Sequence, residues 1–139
     1  MMSEIKNIFD ISGRAMAAQM VRLNTVASNL ANAGTISGTK EEAFRALKPV
    51  FQTTYADQLK ASGVSTVDVV TVAEVKRAPE QAFMPHHPSA DANGFVYRAA
   101  VDENEEMVEM VEASRQYQNN VEVISTIRAL MMRTINMGK

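Results

Sequence analysis

Apolar and small residues in the N-terminal part of the chain recur every three or four positions. This spacing places them on one face of an α-helix, where they face a single partner. From Ser3 to Ala33 only Gly13 interrupts a run of good helix formers, and Gly34 favours a stop. The pattern predicts one long N-terminal helix. Its apolar or small positions are Ile5, Phe9, Ser12, Met16, Met20, Leu23, Ala27 and Leu30.

The same spacing returns at the C-terminal end of the chain and continues for about four heptads. Asp102 followed by Glu105 resembles a capping box, in which side chains satisfy the unpaired N–H groups of a helix start. Gly138 is a suitable terminator. A second long helix is therefore predicted. Its periodic residues are Met107, Met110, Ser114, Tyr117, Val121, Ile124, Arg128, Met131 and Ile135.

Between the two helices the pattern changes to one typical of strands and turns. Residues 64–75 are rich in valine and threonine and alternate as a β-strand does. Asn93 and Gly94 form a tight-turn dipeptide before a short strand at residues 95–97. An irregular loop is predicted in between, bounded by Pro79, Pro85 and Pro88, because proline donates no hydrogen bond to a sheet.

The segment before the valine-rich strand fits two interpretations. Residues 41–59 form either a short helix or a pair of strands broken at Pro49, and residues 41–47 have a helical composition. The sequence leaves the fold of residues 41–63 open.

Together these patterns predict a mainly α fold with a small β-rich insertion. A helix of about 34 residues is about 50 Å long, but a compact domain of this length is only about 37 Å across. Either the helix bends or the molecule is elongated, and we expect the elongated form. In it the long N- and C-terminal helices pack as an antiparallel coiled-coil-like pair. The expected units are residues 1–34, the insertion with its loops at 35–102, and residues 103–139.

Composition narrows the function. The chain has 139 residues, the size of one domain, and a net charge of -2, so it lacks the positive field that binds nucleic acid. Without cysteine it has no disulfide, thiolate nucleophile or Cys-ligated metal. No apolar run reaches the roughly 18 residues of a membrane-spanning helix, and the start lacks the pattern of a secretory signal. We expect no direct membrane insertion and no cleaved leader.

Few residues are suited to catalysis. His86 and His87 are adjacent, so on an extended segment they point to opposite faces and share a metal ion only if the loop bends. Ser37 is misplaced for a nucleophile elbow, and no phosphate-binding glycine loop occurs. We expect no enzymatic activity, cofactor, metal ion or small-molecule substrate.

Long parts of both helices carry almost no charge. Arg22 is the single charge between Ala15 and Ala33, and Arg115 and Glu122 are the charges between residues 114 and 126. One interpretation is a helical hairpin with neutral outer faces. The other is burial on several sides against other chains, because amides can bond across an interface whereas charges are costly to desolvate.

We favour burial against other chains. Six acids at the start of the second helix could pair with Arg14, Arg22 or Arg45 of neighbouring chains, although exposed pairs contribute little. The expected subunit-contact residues are Met16, Met20, Leu23, Asn24, Ala27, Asn29, Leu30, Asn32, Met107, Met110, Tyr117, Asn119, Val121, Ile124 and Met131.

One string carries a specific resemblance. Residues 23–33, LNTVASNLANA, resemble the N-terminal signature of the bacterial flagellar axial proteins, the rod and hook family. Residues 87–97, HPSADANGFVY, and 106–118, EMVEMVEASRQYQ, are similar to the proximal-rod members of that family. The resemblance extends from Ile8 to Gly138, and the pattern departs from the family between Gly38 and Ser65.

The resemblance implies a structural subunit of the basal-body rod. Its terminal helices would form the inner rod domain, the wall of a helical torque-transmitting tube around the export channel, with the β insertion outside. Its implied partners are further copies of itself, other rod subunits and the adaptor joining the rod to the membrane ring. Export through the flagellar type III apparatus and assembly in the periplasm are also implied. The alternative is a helical-hairpin adaptor that never polymerises.

Overall fold

The computed structural model describes residues 2–54 and 66–138 of the chain. Two long helices, α1 (Met2–Asn32) and α2 (Glu103–Met137), flank the strands of the insertion. The predicted long helices are therefore confirmed. The described strands are β1 (Ile36–Ser37), β2 (Leu47–Thr54), β3 (Thr66–Glu74), β4 (Glu80–Phe83) and β5 (Phe95–Arg98).

Helices α1 and α2 pack against each other, and small or polar residues occupy the buried face of α1. Ala18 and Val26 are buried there together with Ser12, Thr25 and Asn29. Small side chains allow the closest approach of neighbouring elements. Some residues of the predicted apolar face, such as Met20 and Ala27, lie outside this contact and are exposed.

The contact face of α2 is a regular heptad, shifted in part from the predicted one. Met110, Tyr117, Ile124 and Met131 are half-buried as the pattern indicates, but Met107 and Val121 are exposed. Two adjacent helix faces share the same three- and four-residue spacing, so packing geometry chooses between them. The remaining positions of the observed face are one residue earlier, at Glu106, Ala113, Asn120 and Ile127.

A three-stranded antiparallel sheet in the order β1-β5-β4 forms one part of the insertion. Val96 of β5 is fully buried, and the rings of Phe83 and Phe95 meet edge to face with centroids 5.3 Å apart. The predicted turn and strand around Gly94 are confirmed. The irregular loop predicted before them is corrected, since β4 fits between Pro79 and Pro85 and loses no backbone donor to either.

The second part of the insertion is a long antiparallel hairpin of β2 and β3. Their register runs from Leu47 opposite Glu74 to Thr54 opposite Thr66, with a bulge between Val50 and Phe51. The valine-rich strand is confirmed over Thr66–Glu74, and residues 64–65 of the prediction lie outside the described residues. Pro49 is tolerated inside β2 because the hairpin gives this strand one neighbour only.

Of the two interpretations left open for residues 41–59, the helix is not formed over residues 41–47, although their composition is helical. Turns occupy residues 40–42, and Arg45 then forms an isolated parallel bridge with Ala100. Tertiary hydrogen bonds outweigh the helix propensity of these residues, and strand β2 begins at Leu47. Residues 55–63 of the open segment lie outside the described residues.

Three backbone segments cross where the insertion joins the helices, a region that we call the neck. The Ala100 N–H donates to the Phe44 carbonyl at 2.8 Å, and the Val75 N–H donates to the Ala46 carbonyl at 2.8 Å. Small side chains let the segments approach closely enough for these bonds. The buried residues of the neck are Ala43, Ala46, Ala99 and Ala100.

Two glycines give opposite predictions for the same substitution. Gly94 has φ +81°, and an added Cβ would lie 2.9 Å from a ring carbon of Phe83. We expect Gly94→Ala to lower the free energy of unfolding by about 1–3 kcal/mol, because both backbone and contact are strained. Gly13, inside α1, has nothing within 4 Å of its position.

Gly13→Ala is the matched control and should raise the free energy of unfolding by about 0.5–1 kcal/mol, since alanine favours the helix. Urea unfolding followed by circular dichroism measures both variants. Equal effects of the same sign would contradict the described turn at Gly94.

Candidate functional site

Several polar contacts of the described residues meet where α1, α2 and the start of β2 come together, and we call this site the junction. It begins at the N-cap of α2, where Asp102 Oδ1 accepts from the N–H groups of Asn104 at 3.0 Å and Glu105 at 3.1 Å. The predicted cap is confirmed. Because the cap fixes the first turn, it also fixes the direction of the acidic side chains that follow.

Glu105 then joins α2 to the insertion. Its Oε1 accepts from Lys48 Nζ at 2.7 Å, and its Oε2 accepts from Arg77 Nη2 at 2.9 Å. Lys48 lies in β2 and Arg77 follows β3, so one carboxylate holds both strands of the hairpin base. The capping box predicted for Glu105 is replaced by this bridge.

Arg22 joins the two helices. Its Nε donates to Glu109 Oε2 at 2.8 Å, its Nη2 also contacts that oxygen, and Glu112 Oε2 lies 3.5 Å from Nη2. Arg14 contacts Asp10 of its own helix and Asp68 of β3. Arg14 and Arg22 thus have acidic partners within the chain, and the pairing of Arg14, Arg22 or Arg45 with neighbouring chains stays a prediction.

Asn29 fixes the start of β2. Its Nδ2 donates to the Leu47 carbonyl at 2.8 Å, and its Oδ1 accepts from the Leu47 N–H at 2.8 Å. The side chain is fully buried. A carboxamide carries a donor and an acceptor side by side, so Asn29 bonds a strand backbone as a neighbouring strand would. The expected role of Asn29 in subunit contact is corrected to this internal one.

Opposite charges shift the pKa values at the junction. The hydrogen bond to Glu105 raises the pKa of Lys48, and desolvation opposes it while the charges of Glu105, Glu109 and Glu106 add to it. The hydrogen bonds from Lys48 and then Arg77 lower the pKa of Glu105. Both groups therefore hold their charged forms more strongly than they would in the unfolded chain.

A cavity of about 340 Å³ opens into the junction between α1, β2 and α2. Glu106 lines it although its residue surface is only 3% exposed. The apolar part of the wall comes from Val26, Leu47, Pro49 and Phe51, and the charged part from Arg22, Lys48, Glu106 and Glu109.

The other predicted contact residues remain at the surface or near it. Those that are exposed are Met20, Asn24, Ala27, Met107, Asn119 and Val121. Those that are half-buried are Met16, Leu23, Leu30, Asn32, Met110, Tyr117, Ile124 and Met131. Asn32 also donates to the Ser28 carbonyl at 2.8 Å. Together they follow both long helices and do not converge on one pocket.

The sequence prediction missed the junction as an internal site. A signal was present, because Arg22 is the single charge in a long uncharged stretch of α1. A lone charge on such a helix needs a partner, and α2 supplies it. No signal along the chain linked Glu105 to Lys48 and Arg77, which are 57 and 28 residues away.

Neither α1 nor α2, as described, combines the length and the hydropathy that a membrane-spanning segment requires. Among the residues that the structure describes, no three His, Asp or Glu side chains are grouped so as to hold a metal ion.

Comparison with known proteins gives one consistent family. A family model described as "Flagella basal body rod protein" matches residues 9–35, and one described as "Flagellar basal body rod FlgEFG protein C-terminal" matches residues 92–137. The first match covers most of α1, the second covers β5 and α2, and together they include the junction residues Arg22, Asn29 and Glu105.

Relatives match almost the full chain. The flagellar basal-body rod protein FlgC of Salmonella typhimurium is 43% identical over 134 residues, which cover 96% of this chain and 97% of the relative. That of Escherichia coli O157:H7 is 42% identical with the same coverage. That of Aquifex aeolicus is 34% identical and covers 99% of this chain and 100% of the relative.

Removal of the Asn29 carboxamide should loosen the base of the hairpin. Asn29→Ala leaves two backbone groups of Leu47 without partners, and we expect a loss of about 2–4 kcal/mol in the free energy of unfolding. Asn24→Ala is the matched control on the exposed side of α1 and should change it by less than about 0.5 kcal/mol. Chemical unfolding measures both, and equal losses would contradict the Asn29 contact.

Glu105→Gln should weaken the junction in a pH-dependent way. Because the folded pKa of Glu105 lies below its ordinary value of 4.5, its ion pairs stabilise the fold at neutral pH and are lost as pH falls through that folded pKa. The side chains are partly exposed, so the expected loss at pH 7 is about 0.5–1 kcal/mol.

The matched control for that variant is Glu103→Gln, an exposed acid in the same first turn of α2. Thermal unfolding followed from pH 7 downward should show an effect of Glu105→Gln that is larger than that of Glu103→Gln at pH 7 and becomes smaller as native Glu105 is protonated. An effect of Glu105→Gln that does not change with pH would contradict the ion pairs.

Proposed function

The chain belongs to the flagellar basal-body rod protein FlgC family, and from that membership we propose that it polymerises through its two long helices into the wall of the proximal rod. The family makes it a structural subunit of the flagellar rod. We propose that its role is mechanical, to transmit torque, and that it catalyses no reaction.

One observation carries the proposal: α2 presents large apolar side chains to solvent. After Ala113 and up to Gly138, α2 has no fully buried residue. In the same stretch Leu130, Met132 and Ile135 are 56%, 54% and 56% exposed. Large apolar side chains exposed along one stretch of a helix indicate contacts with other chains. Copies of the subunit packed side by side would cover it.

We propose that α1 and α2 form an antiparallel coiled-coil-like pair and line the central channel. Two features support the antiparallel direction. Arg22, in the last third of α1, contacts Glu109 near the start of α2. The half-buried positions of α2 keep the heptad spacing of a coiled coil over most of its length.

The subunit contacts are proposed for the predicted residues other than Asn29. The exposed members are suited to contact neighbours directly, and we assign Met20 and Val121 to the centre of that contact. The half-buried members, such as Tyr117 and Ile124, would face the partner helix on one side and a neighbouring copy on the other. Exposed amides such as Asn24 can bond across the interface without the cost of burying a charge.

The proposed partners are further copies of the chain, the other rod subunits and the adaptor that joins the rod to the membrane ring. We propose that the subunit reaches the periplasm through the flagellar type III apparatus and assembles there around the export channel, with the β insertion on the outside. Membership of the rod-protein family supports these proposals.

Assembly should be sensitive to charge on the exposed face of α2. Val121→Asp and Ile135→Asp would place a carboxylate in an apolar contact. We expect each to reduce self-association of the purified chain at least about tenfold and to abolish motility in a strain that depends on it. Light scattering against concentration and swimming in soft agar measure the two effects.

Val70→Asp is the matched control, since Val70 is 59% exposed but lies in the β insertion. It should assemble and swim as the native chain does. Circular dichroism checks that all three variants keep their helices. A chain that stays monomeric at every concentration, with or without other rod subunits, would instead indicate an adaptor.

A further inference from the structure

The exposed apolar residues of α2 include two rows that lie beside the contact face of the helix. With Met110 at position a of a heptad, the contact face consists of positions a and d, and positions e and g lie on its two sides. After Ala113 both sides carry large apolar side chains that are exposed to solvent. We call these two rows the e flank, with Val121 and Ile135, and the g flank, with Val123, Leu130 and Met137.

This distribution differs from the one that a pair of helices requires. A coiled coil of two helices buries positions a and d, and its e and g positions often carry Glu or Lys. The start of α2 follows this rule at g, where Glu109 bonds Arg22. Over residues 114–137 the one charge at e or g is Arg128. The apolar surface of the contact with α1 therefore continues on both of its sides, which indicates that α2 packs against more than one helix.

The positions of the two flanks identify a second copy of the chain as the partner. Helices that run in the same direction and are related mainly by a translation meet by opposite sides, so the e flank of one copy meets the g flank of the next. Helices that run in opposite directions meet by the same flank, and such a symmetric contact ends with two copies. A contact between different flanks leaves one flank free at each end of the row, and the row continues.

The two flanks match each other in register along the helix. Val121 at e and Val123 at g are two residues apart, about 3 Å along the axis, and so are Ile135 and Met137. The exposed fractions of these four residues are 43%, 45%, 56% and 85% in that order, so each has apolar area left to bury. Copies placed side by side with almost no shift along the axis therefore bring apolar residues of one flank against apolar residues of the other.

The polar residues of the flanks follow the same register. One heptad before the valines, Ser114 at e and Gln116 at g are both polar, so the apolar row begins at the same level on both sides. Arg128 at e lies two residues before Leu130 at g. Its aliphatic stem can cover the leucine of the next copy while its guanidinium stays in solvent, so the contact buries no charge.

We propose that the e flank of each α2 packs on the g flank of the α2 of the next copy, in parallel and over residues 121–137. This pairing deepens the proposed function and rests on it, since it requires polymerisation. Because every copy carries both flanks, the contact repeats from copy to copy without closing into a dimer.

Two variants that each block one flank test the pairing. Ile135→Asp blocks the e flank and Leu130→Asp the g flank, and a carboxylate in an apolar contact should weaken the self-association of each variant at least about tenfold. Each variant keeps the flank that the other lacks. An equimolar mixture should therefore form dimers and no larger species, which sedimentation velocity measures.

Val108→Asp is the matched control for both variants. Val108 is 66% exposed at position f, on the side of α2 opposite the a and d positions, so this variant should polymerise as the native chain does. Circular dichroism checks that all three variants keep their helices.

Cross-linking locates the contact, because the native chain has no cysteine. Val121→Cys and Val123→Cys are prepared separately in the otherwise native chain. A short bis-maleimide reagent should link the two preparations when they are mixed, and it should link neither preparation to itself. Val108→Cys mixed with Val123→Cys is the control and should give no link.

The outcomes separate this pairing from the proposed function. A native chain that associates while the mixed Asp variants stay monomeric or form a polymer, or while the 121–123 link is absent, would overturn the pairing and leave the rod function intact. A link of 121 to 121 would also overturn it, because the copies would then be antiparallel. A native chain that never associates, with or without other rod subunits, would overturn both proposals.

Discussion

The carboxamide of Asn29 bonds both backbone groups of Leu47, and the position of β2 relative to α1 depends on this contact. Leu47 is the first residue of β2, so its position fixes where the strand begins and which side chains follow on each face. Because strand side chains alternate, a shift of one residue would turn Lys48 away from Glu105. The ion pair between Lys48 and Glu105 therefore forms only when the hydrogen bonds between Asn29 and Leu47 place β2 in this register.

Polar contacts have this importance because apolar burial near the neck is small. Its buried side chains are alanines, which contribute little hydrophobic free energy but allow three backbone segments to pass close together. Hydrogen bonds and the ion pairs of Glu105 and Arg22 therefore give the neck its specific geometry. A contact made only of alanine side chains would allow the backbone segments to shift along one another, whereas hydrogen bonds between donors and acceptors are directional.

The two helices differ from the neck in the size and exposure of their apolar side chains. They leave large apolar side chains such as Leu130 and Met132 exposed to solvent, where neighbouring subunits are proposed to pack. Specific internal contacts and an unfinished exterior suit a subunit that must keep its shape before it joins an assembly.

Local periodicity and end signals in the sequence determined both long helices, the Asp102 cap, the valine-rich strand and the turn at Gly94, because these depend on residues close along the chain. The motif at residues 23–33 determined the family. Tertiary structure alone decided which of two equivalent heptad faces of α2 is packed, since both have the same spacing. It also decided that residues 41–47 lead into a strand, and that Arg22, Asn29 and Glu105 act within one chain. Those outcomes depend on contacts between residues that are far apart in the sequence, and the propensities of neighbouring residues do not specify such contacts.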